Sequence, residues 1–342
     1  LTVGFFVHII TFRNLDLNYS LILLSAHLFI VAITIIILSI PFEEKQDSFF
    51  TQARSWLPVL QQYSMGNLLS AFLILYSASG SLVASWPFLV LVAIAAIGNE
   101  TIRLEKYRLP FHTSLFFLNL VLFFALLTPV LLSSISIVTF FVGALVAVIV
   151  FSLFRSIVWF VARAPFTKHR KRINQGALTV LTVVVVLYFT NLIPPIPLTI
   201  KDVDFYHSVE RVGDEYIAES EGRSFFERYF ALFGRTLRLR AGEPAYVYTA
   251  VFAPARLDTQ VVHRWQYYDE TTRTWITKNT VNFPVLGGRR GGYRGYSFTE
   301  QPSAGRWRIS VETARGQIIG RSYLTVERTG EPVLTQRFFI GS

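Results

Sequence analysis

The chain has 342 residues, of which 52% are hydrophobic and only 16% charged, with a formal net charge of +10 and a mean hydropathy of +0.44. A soluble globule carries about a quarter charged residues, so this composition excludes an ordinary soluble enzyme and places much of the chain against lipid. The absence of cysteine excludes disulfides, thiolate metal sites and cysteine nucleophiles together.

Four stretches contain no Asp, Glu, Lys or Arg: Leu17 to Phe42, Ser55 to Asn99, Leu109 to Phe154 and Ile173 to Ile200. A membrane span needs about 20 apolar residues. The first and last runs therefore hold one helix each. The two middle runs hold two each, broken at SASGS (Ser77 to Ser81) and LLSSIS (Leu131 to Ser136). The expectation is an all-α transmembrane bundle of about six helices over residues 1–198. Leu1 to Phe12 is apolar but short, and reads either as the end of an earlier span or as no span at all. Inside the runs the polar inventory is thin: His27, Asn67, Tyr76, Asn119 and the Thr128-Pro129 pair. Polar groups at mid-bilayer are costly enough to signal function. These few are read as interhelical bonding, His27 and Asn119 included, rather than a transport path.

The loops Pro41 to Arg54, Glu100 to Arg108 and Arg163 to Arg172 share one side and carry ten Lys or Arg residues, whereas the opposite loops hold Arg13 alone. The positive-inside rule puts the basic loops in the cytoplasm and everything after Ile200 outside it. In a bacterium this is a multi-pass inner-membrane protein with an extracytoplasmic C-terminal part. FTKHRKR (Phe166 to Arg172) reads as a stop-transfer segment in contact with anionic lipid. Nucleic acid is not an expected partner.

Three prolines in NLIPPIPL (Asn191 to Leu198) end the last helix. Residues 199–244 read as a connector: a hairpin around VGDE, then SFFERYFALFG (Ser224 to Gly234), whose aromatic spacing suits an amphipathic helix on the bilayer or on a β-domain. From Ala245 the pattern changes to period two, with turn signals every eight to twelve residues. The expected strands are Tyr246 to Ala253, Thr259 to Tyr268, Arg273 to Pro284, Gly292 to Thr299, Arg306 to Thr313 and Gln317 to Glu327, with Val333 to Ile340 as a seventh. Residues 245–342 thus read as an all-β, immunoglobulin-like sandwich.

In VVHRWQYY, Val261, His263, Trp265 and Tyr267 share the more apolar face and should point inward; Val262, Arg264, Gln266 and Tyr268 share the other and should point outward. Trp307, Ile309 and Val311 repeat the inward pattern against outward Arg306, Arg308 and Ser310. Asp269 should open a turn. HRWQYYDETTRTW, GGYRGYSF (Gly291 to Phe298) and AGRWRISVETARGQIIGRSYLTVE (Ala304 to Glu327) resemble the bacterial domain-of-unknown-function family 2914, in which such a β-domain often follows transmembrane helices. The resemblance covers roughly Glu243 to Glu327. It implies a small all-β module and supplies no activity and no site residues.

His207 and His263, with Asp258, Asp269 or Ser297, could in principle form an acid, base and nucleophile. No GxSxG elbow or HExxH motif accompanies them, so no catalytic residue, cofactor or metal is assigned. From Ala245 onward thirteen Lys and Arg face seven acids. The candidate interaction surface is Arg264, Tyr268, Arg289, Arg290, Tyr293, Arg294, Arg306 and Arg308, because arginines beside tyrosines suit anionic ligands. The expected partners are the lipid bilayer and an envelope glycan, lipid headgroup or membrane protein. Service as an accessory subunit of a larger membrane complex is the alternative, and a transporter or membrane enzyme the third reading.

Overall fold

A computed structural model describes residues 17–41, 49–101, 105–195, 198–213, 215–222, 234–253, 258–286 and 293–340. The expected amphipathic helix at Ser224 to Gly234 and the stretch Leu1 to Phe12 lie outside them, apart from Gly234. The chain divides into two compact units, a helical one of Leu1–Ala78 and Ser85–Ile196 and a β unit of Pro197–Ser342, to which the short segment Ser79–Ala84 is also assigned.

The helical unit comprises α1 (Leu17–Ser39), α2 (Phe49–Ala78), α3 (Leu82–Thr101), α4 (Glu105–Leu131), α5 (Ile137–Val161) and α6 (Arg163–Phe189). Both expected breaks are turns. At the second, Ser136 caps α5: its hydroxyl accepts from the Thr139 amide and the Thr139 hydroxyl accepts in return. Five of the helices are long and apolar enough to cross a membrane. The sixth, α2, is less hydropathic because Gln61, Ser64, Asn67 and Ser70 recur along it. These four are buried, whereas Trp56, Val59, Leu60 and Tyr63 are exposed. A helix with polar groups inside and apolar ones outside is arranged for lipid, and its 30 residues reach about 45 Å at 1.5 Å per residue.

α4 is the central helix: 67% of its apolar span is buried, against 17% for α6. Small residues let its neighbours approach closely, as is usual between membrane helices. A Cβ on Gly143 of α5 would stand 2.8 Å from the Phe124 carbonyl oxygen, and one on Gly176 of α6 would strike Ser114. Gly143→Val should push α5 off α4. Overpacking of this kind costs about 1–3 kcal/mol, so the thermal midpoint of the chain in detergent should fall by several degrees. An unchanged midpoint would refute the close approach. Of the polar residues noted above, Asn119 donates to the Leu115 carbonyl (2.8 Å) and the Met65 sulfur (3.1 Å), and His27 stands edge-on to Tyr63.

The β unit contains β1 (Thr199–Tyr206), β2 (Ser208–Val212), β3 (Glu215–Glu221), β4 (Arg235–Leu239), β5 (Ala245–Phe252), β6 (Asp258–Asp269), β7 (Thr274–Leu286), β8 (Tyr293–Thr299), β9 (Gly305–Thr313), β10 (Ile318–Arg328) and β11 (Thr335–Ile340). They form three sheets, ordered β4-β10-β9-β6-β7, β1-β5-β8 and β11-β3-β2. The VGDE hairpin is present as β2–β3, with Gly213 at φ +64 in its turn. All seven strands read from Ala245 onward are in place.

The boundary at 245 is corrected by the pairing. β1 is antiparallel to β5, and β4 is parallel to β10, so 199–244 is part of the β unit rather than a connector. The physical reason lies in β5, which is buried along both faces from Val247 to Val251. Thr249 meets the inner face of the five-stranded sheet through His263. Tyr248 and Ala250 pack on the other side with Val209, Tyr216, Ala218 and Ile340, residues of the third sheet. A sandwich of 245–342 alone would leave that second face of β5 bare.

Candidate functional site

Alternation along β6 and β9 sorts the tryptophans and arginines as expected, but Val262 and Ser310, expected outward, are buried beside the Arg264–Glu312 pair opposite them in register, and Tyr267 is only half-buried. Val261, His263 and Trp265 are fully buried, as are Trp307, Ile309 and Val311, and Trp265 and Trp307 meet at 6.4 Å in a T-shape. The Asp269 carboxylate accepts from the Thr271 amide at 2.9 Å, which makes the turn and holds its pKa below the ordinary range.

His263 and Ser297 are brought together. One imidazole nitrogen lies 2.9 Å from the Ser297 hydroxyl and the other 2.8 Å from that of Thr249; the Trp265 indole N–H donates to Ser297 at 2.9 Å. The contact has the spacing of a base and nucleophile but sits sealed between two sheets. Burial lowers the His263 pKa to about 3, so the ring is neutral near pH 7 and works as a cross-sheet tie. His207 is elsewhere, 3.4 Å from Glu221. Among the described residues no group of three His, Asp or Glu side chains is placed to hold a metal ion.

The outer face of the five-stranded sheet gathers four of the candidate residues: Arg264, Tyr268, Arg306 and Arg308. Register places Tyr268 opposite Trp275 and Arg308 between Gln266 and Tyr323. The result is a row of stacked planar groups. The Arg306 guanidinium lies 4.2 Å over the Tyr268 ring and that of Arg308 lies 4.4 Å over Trp275. Trp275 contacts Tyr268 at 5.1 Å and Tyr323 at 6.1 Å. The cations differ in availability. Arg264 is committed to Glu312, which accepts from it at 2.9 Å and raises its pKa. Arg306 pairs with exposed Glu270, a contact worth about 0–1 kcal/mol and readily exchanged. Arg308 donates through Nε to the Gln266 side-chain Oε1 at 2.7 Å; partial burial and the neighbouring Arg321 charge lower its pKa.

The other candidates do not join this face. Tyr293 and Arg294 lie on β8, in the β1-β5-β8 sheet, and Arg289 and Arg290 lie outside the described residues. Two members of the row, Trp275 and Tyr323, were not singled out in the sequence. Period two alone would have put Tyr323 outward, alternating with buried Leu324.

The helical unit holds a cavity of about 360 Å3 at helix ends, whose largely apolar wall is interrupted by Arg54, Gln61, Arg108, His112 and His169. Beside it Asn99 and Gln62 exchange side-chain to backbone hydrogen bonds between α3 and α2. The polar inventory of the apolar runs pointed to none of these groups, because it tracked mid-span residues.

No curated protein matches the chain. Among solved structures, the Pseudomonas fluorescens alkylpurine DNA glycosylase AlkC bound to DNA containing an abasic site analog is similar at 10% identity over 78% of this chain and 96% of that one, with a TM-score of 0.23, a likeness that carries no argument. Residues 258–326, which run from β6 into β10, match the family described as Protein of unknown function (DUF2914), and the chain is therefore a membrane-type helical protein carrying a C-terminal domain of that family.

Proposed function

We propose that the chain is a non-enzymatic, membrane-anchored interaction protein of the bacterial cell envelope, and that the outer face of its five-stranded sheet binds an anionic glycan outside the cytoplasm. One observation carries the reading: Arg306 and Arg308 stack on the contiguous aromatic planes of Tyr268, Trp275 and Tyr323. Aromatic faces suit the C–H faces of sugar rings, and planar guanidinium groups suit carboxylates. The location draws support from the charge asymmetry of the loops, with α2 counted as the sixth span.

The test is titration of the detergent-purified chain with a polyuronate and, in parallel, with neutral dextran. The polyuronate should bind and dextran should not. Trp275→Ala should weaken binding tenfold or more, and Arg308→Ala comparably, with little change in the thermal midpoint. Equal response to both polysaccharides, or undiminished binding by Trp275→Ala, would remove the outer face as the site.

A further inference from the structure

The loop that joins α5 to α6 is a single residue, Ala162. The chain reverses there, since the far ends of the two helices meet again: Tyr188 stacks on Phe140 at 3.6 Å and its hydroxyl donates to the Ser136 carbonyl. Arg155 lies seven residues before Ala162 and Arg170 eight after it. At 1.5 Å per residue both stand about 10–12 Å from the turn, facing each other across a groove.

That groove has a volume of about 400 Å3 and is lined by Ser152, Arg155, Ser156, Trp159, Phe166 and Arg170. The α5 members fall at intervals of three, one and three residues, which is one helical stripe. No carboxylate is among the lining groups. The Arg155 Nε is buried with no hydrogen-bond partner among the described residues, and its guanidinium lies 6.0 Å from the centre of the Phe151 ring. Two like charges held together without an acid are unfavourable unless an anion joins them.

The level of the groove selects the anion. Residues 163–172 of α6 carry five Lys or Arg, and Ile173 to Phe189 carry none, so the hydrocarbon boundary crosses α6 close to Arg172. Lipid phosphates lie at that boundary. From that level inward α5 presents exposed Leu153, Ile149 and Leu145, an apolar surface for acyl chains, while Trp159 stands on the turn side of the boundary, where tryptophan is favoured. We infer that the α5–α6 groove is a binding site for the phosphate of an anionic glycerophospholipid, gripped by Arg155 and Arg170, with the Ser152 and Ser156 hydroxyls within the same pocket.

The experiment is native mass spectrometry of the full chain in neutral detergent, titrated with phosphatidylglycerol or with phosphatidylcholine of the same acyl chains. Phosphatidylglycerol should be retained with at least tenfold higher affinity. Arg155→Gln and Arg170→Gln should each lose tenfold or more, while Lys171→Gln, the same charge change outside the groove, should lose less than threefold. Arg170 is exposed, so Arg170→Gln keeps the test open if Arg155→Gln fails to fold. Equal retention of the two lipids, or equal losses in Arg170→Gln and Lys171→Gln, would overturn the site. Displacement of phosphatidylglycerol by millimolar inorganic phosphate would overturn the lipid as occupant and leave a free-anion site.

Discussion

Arg235→Met is expected to destabilise the β unit by about 3–5 kcal/mol, the range found when one member of a buried ion pair is removed. Arg235 opens β4 and is almost wholly buried, with its Nη1 2.9 Å from the Asp204 carboxylate of β1. The same guanidinium donates to the Phe205 carbonyl and to the Ser220 hydroxyl of β3 and lies 5.4 Å over the Tyr206 ring. One side chain thus touches a strand from each of the three sheets. Its loss strands the Asp204 charge in a site with little water. Removing both charges, as Arg235→Met with Asp204→Leu, should recover a large part of the loss, because an apolar pair of similar volume needs no compensation. Denaturant unfolding followed by tryptophan fluorescence would report both numbers. A single variant within about 1 kcal/mol of the parent would show that the pair is incidental.

Acid should weaken the β unit through His263. Its pKa is lowered to about 3 by burial, against about 6.5 in an unfolded chain. Between those values the unfolded chain binds the extra proton, so stability is complete above about pH 6.5 and declines as pH falls toward 3. The slope for one such group is about 1.4 kcal/mol per pH unit. Other buried groups titrate in acid too, so the informative quantity is the difference between the parent and His263→Gln. That gap should shrink by roughly this slope from pH 6.5 to 4.5. A gap independent of pH would mean that the imidazole is hydrated in the native state.

Much of this molecule was legible from period and charge. Charge-free runs located the spans, and LLSSIS and SASGS located two of their turns, because lipid tolerates few exceptions to either rule. The stretch Arg163 to Arg172, read as a loop, is instead the first part of α6, because a helix continues past the hydrocarbon boundary where its charged residues meet water. Alternation placed Trp265 and Trp307 inward and Arg306 and Arg308 outward, since side chains on a strand have no other choice. What did not show was long-range pairing. RTLRL, the whole of β4, is five residues long and gains its meaning from parallel pairing with Leu324 to Arg328 of β10. Glu312 and Glu270 belong to Arg264 and Arg306 through cross-strand register, which local sequence does not encode. The same limit explains why Arg294 was grouped with Arg306 although they occupy different sheets.

The two-sided burial of β5 separates what is recognisable from what can exist alone. The family match, residues 258–326, omits β5, the neighbour that hydrogen-bonds β8, and omits β1, whose Phe205 closes on Trp265 at 6.2 Å. Cut out at those limits, the piece would present Val261, His263, Trp265 and Ile309 to water and leave β8 without a partner. The stretch that heredity keeps readable is thus smaller than the stretch that must be synthesised before any of it is stable. Expression of the module should therefore begin upstream of Thr199.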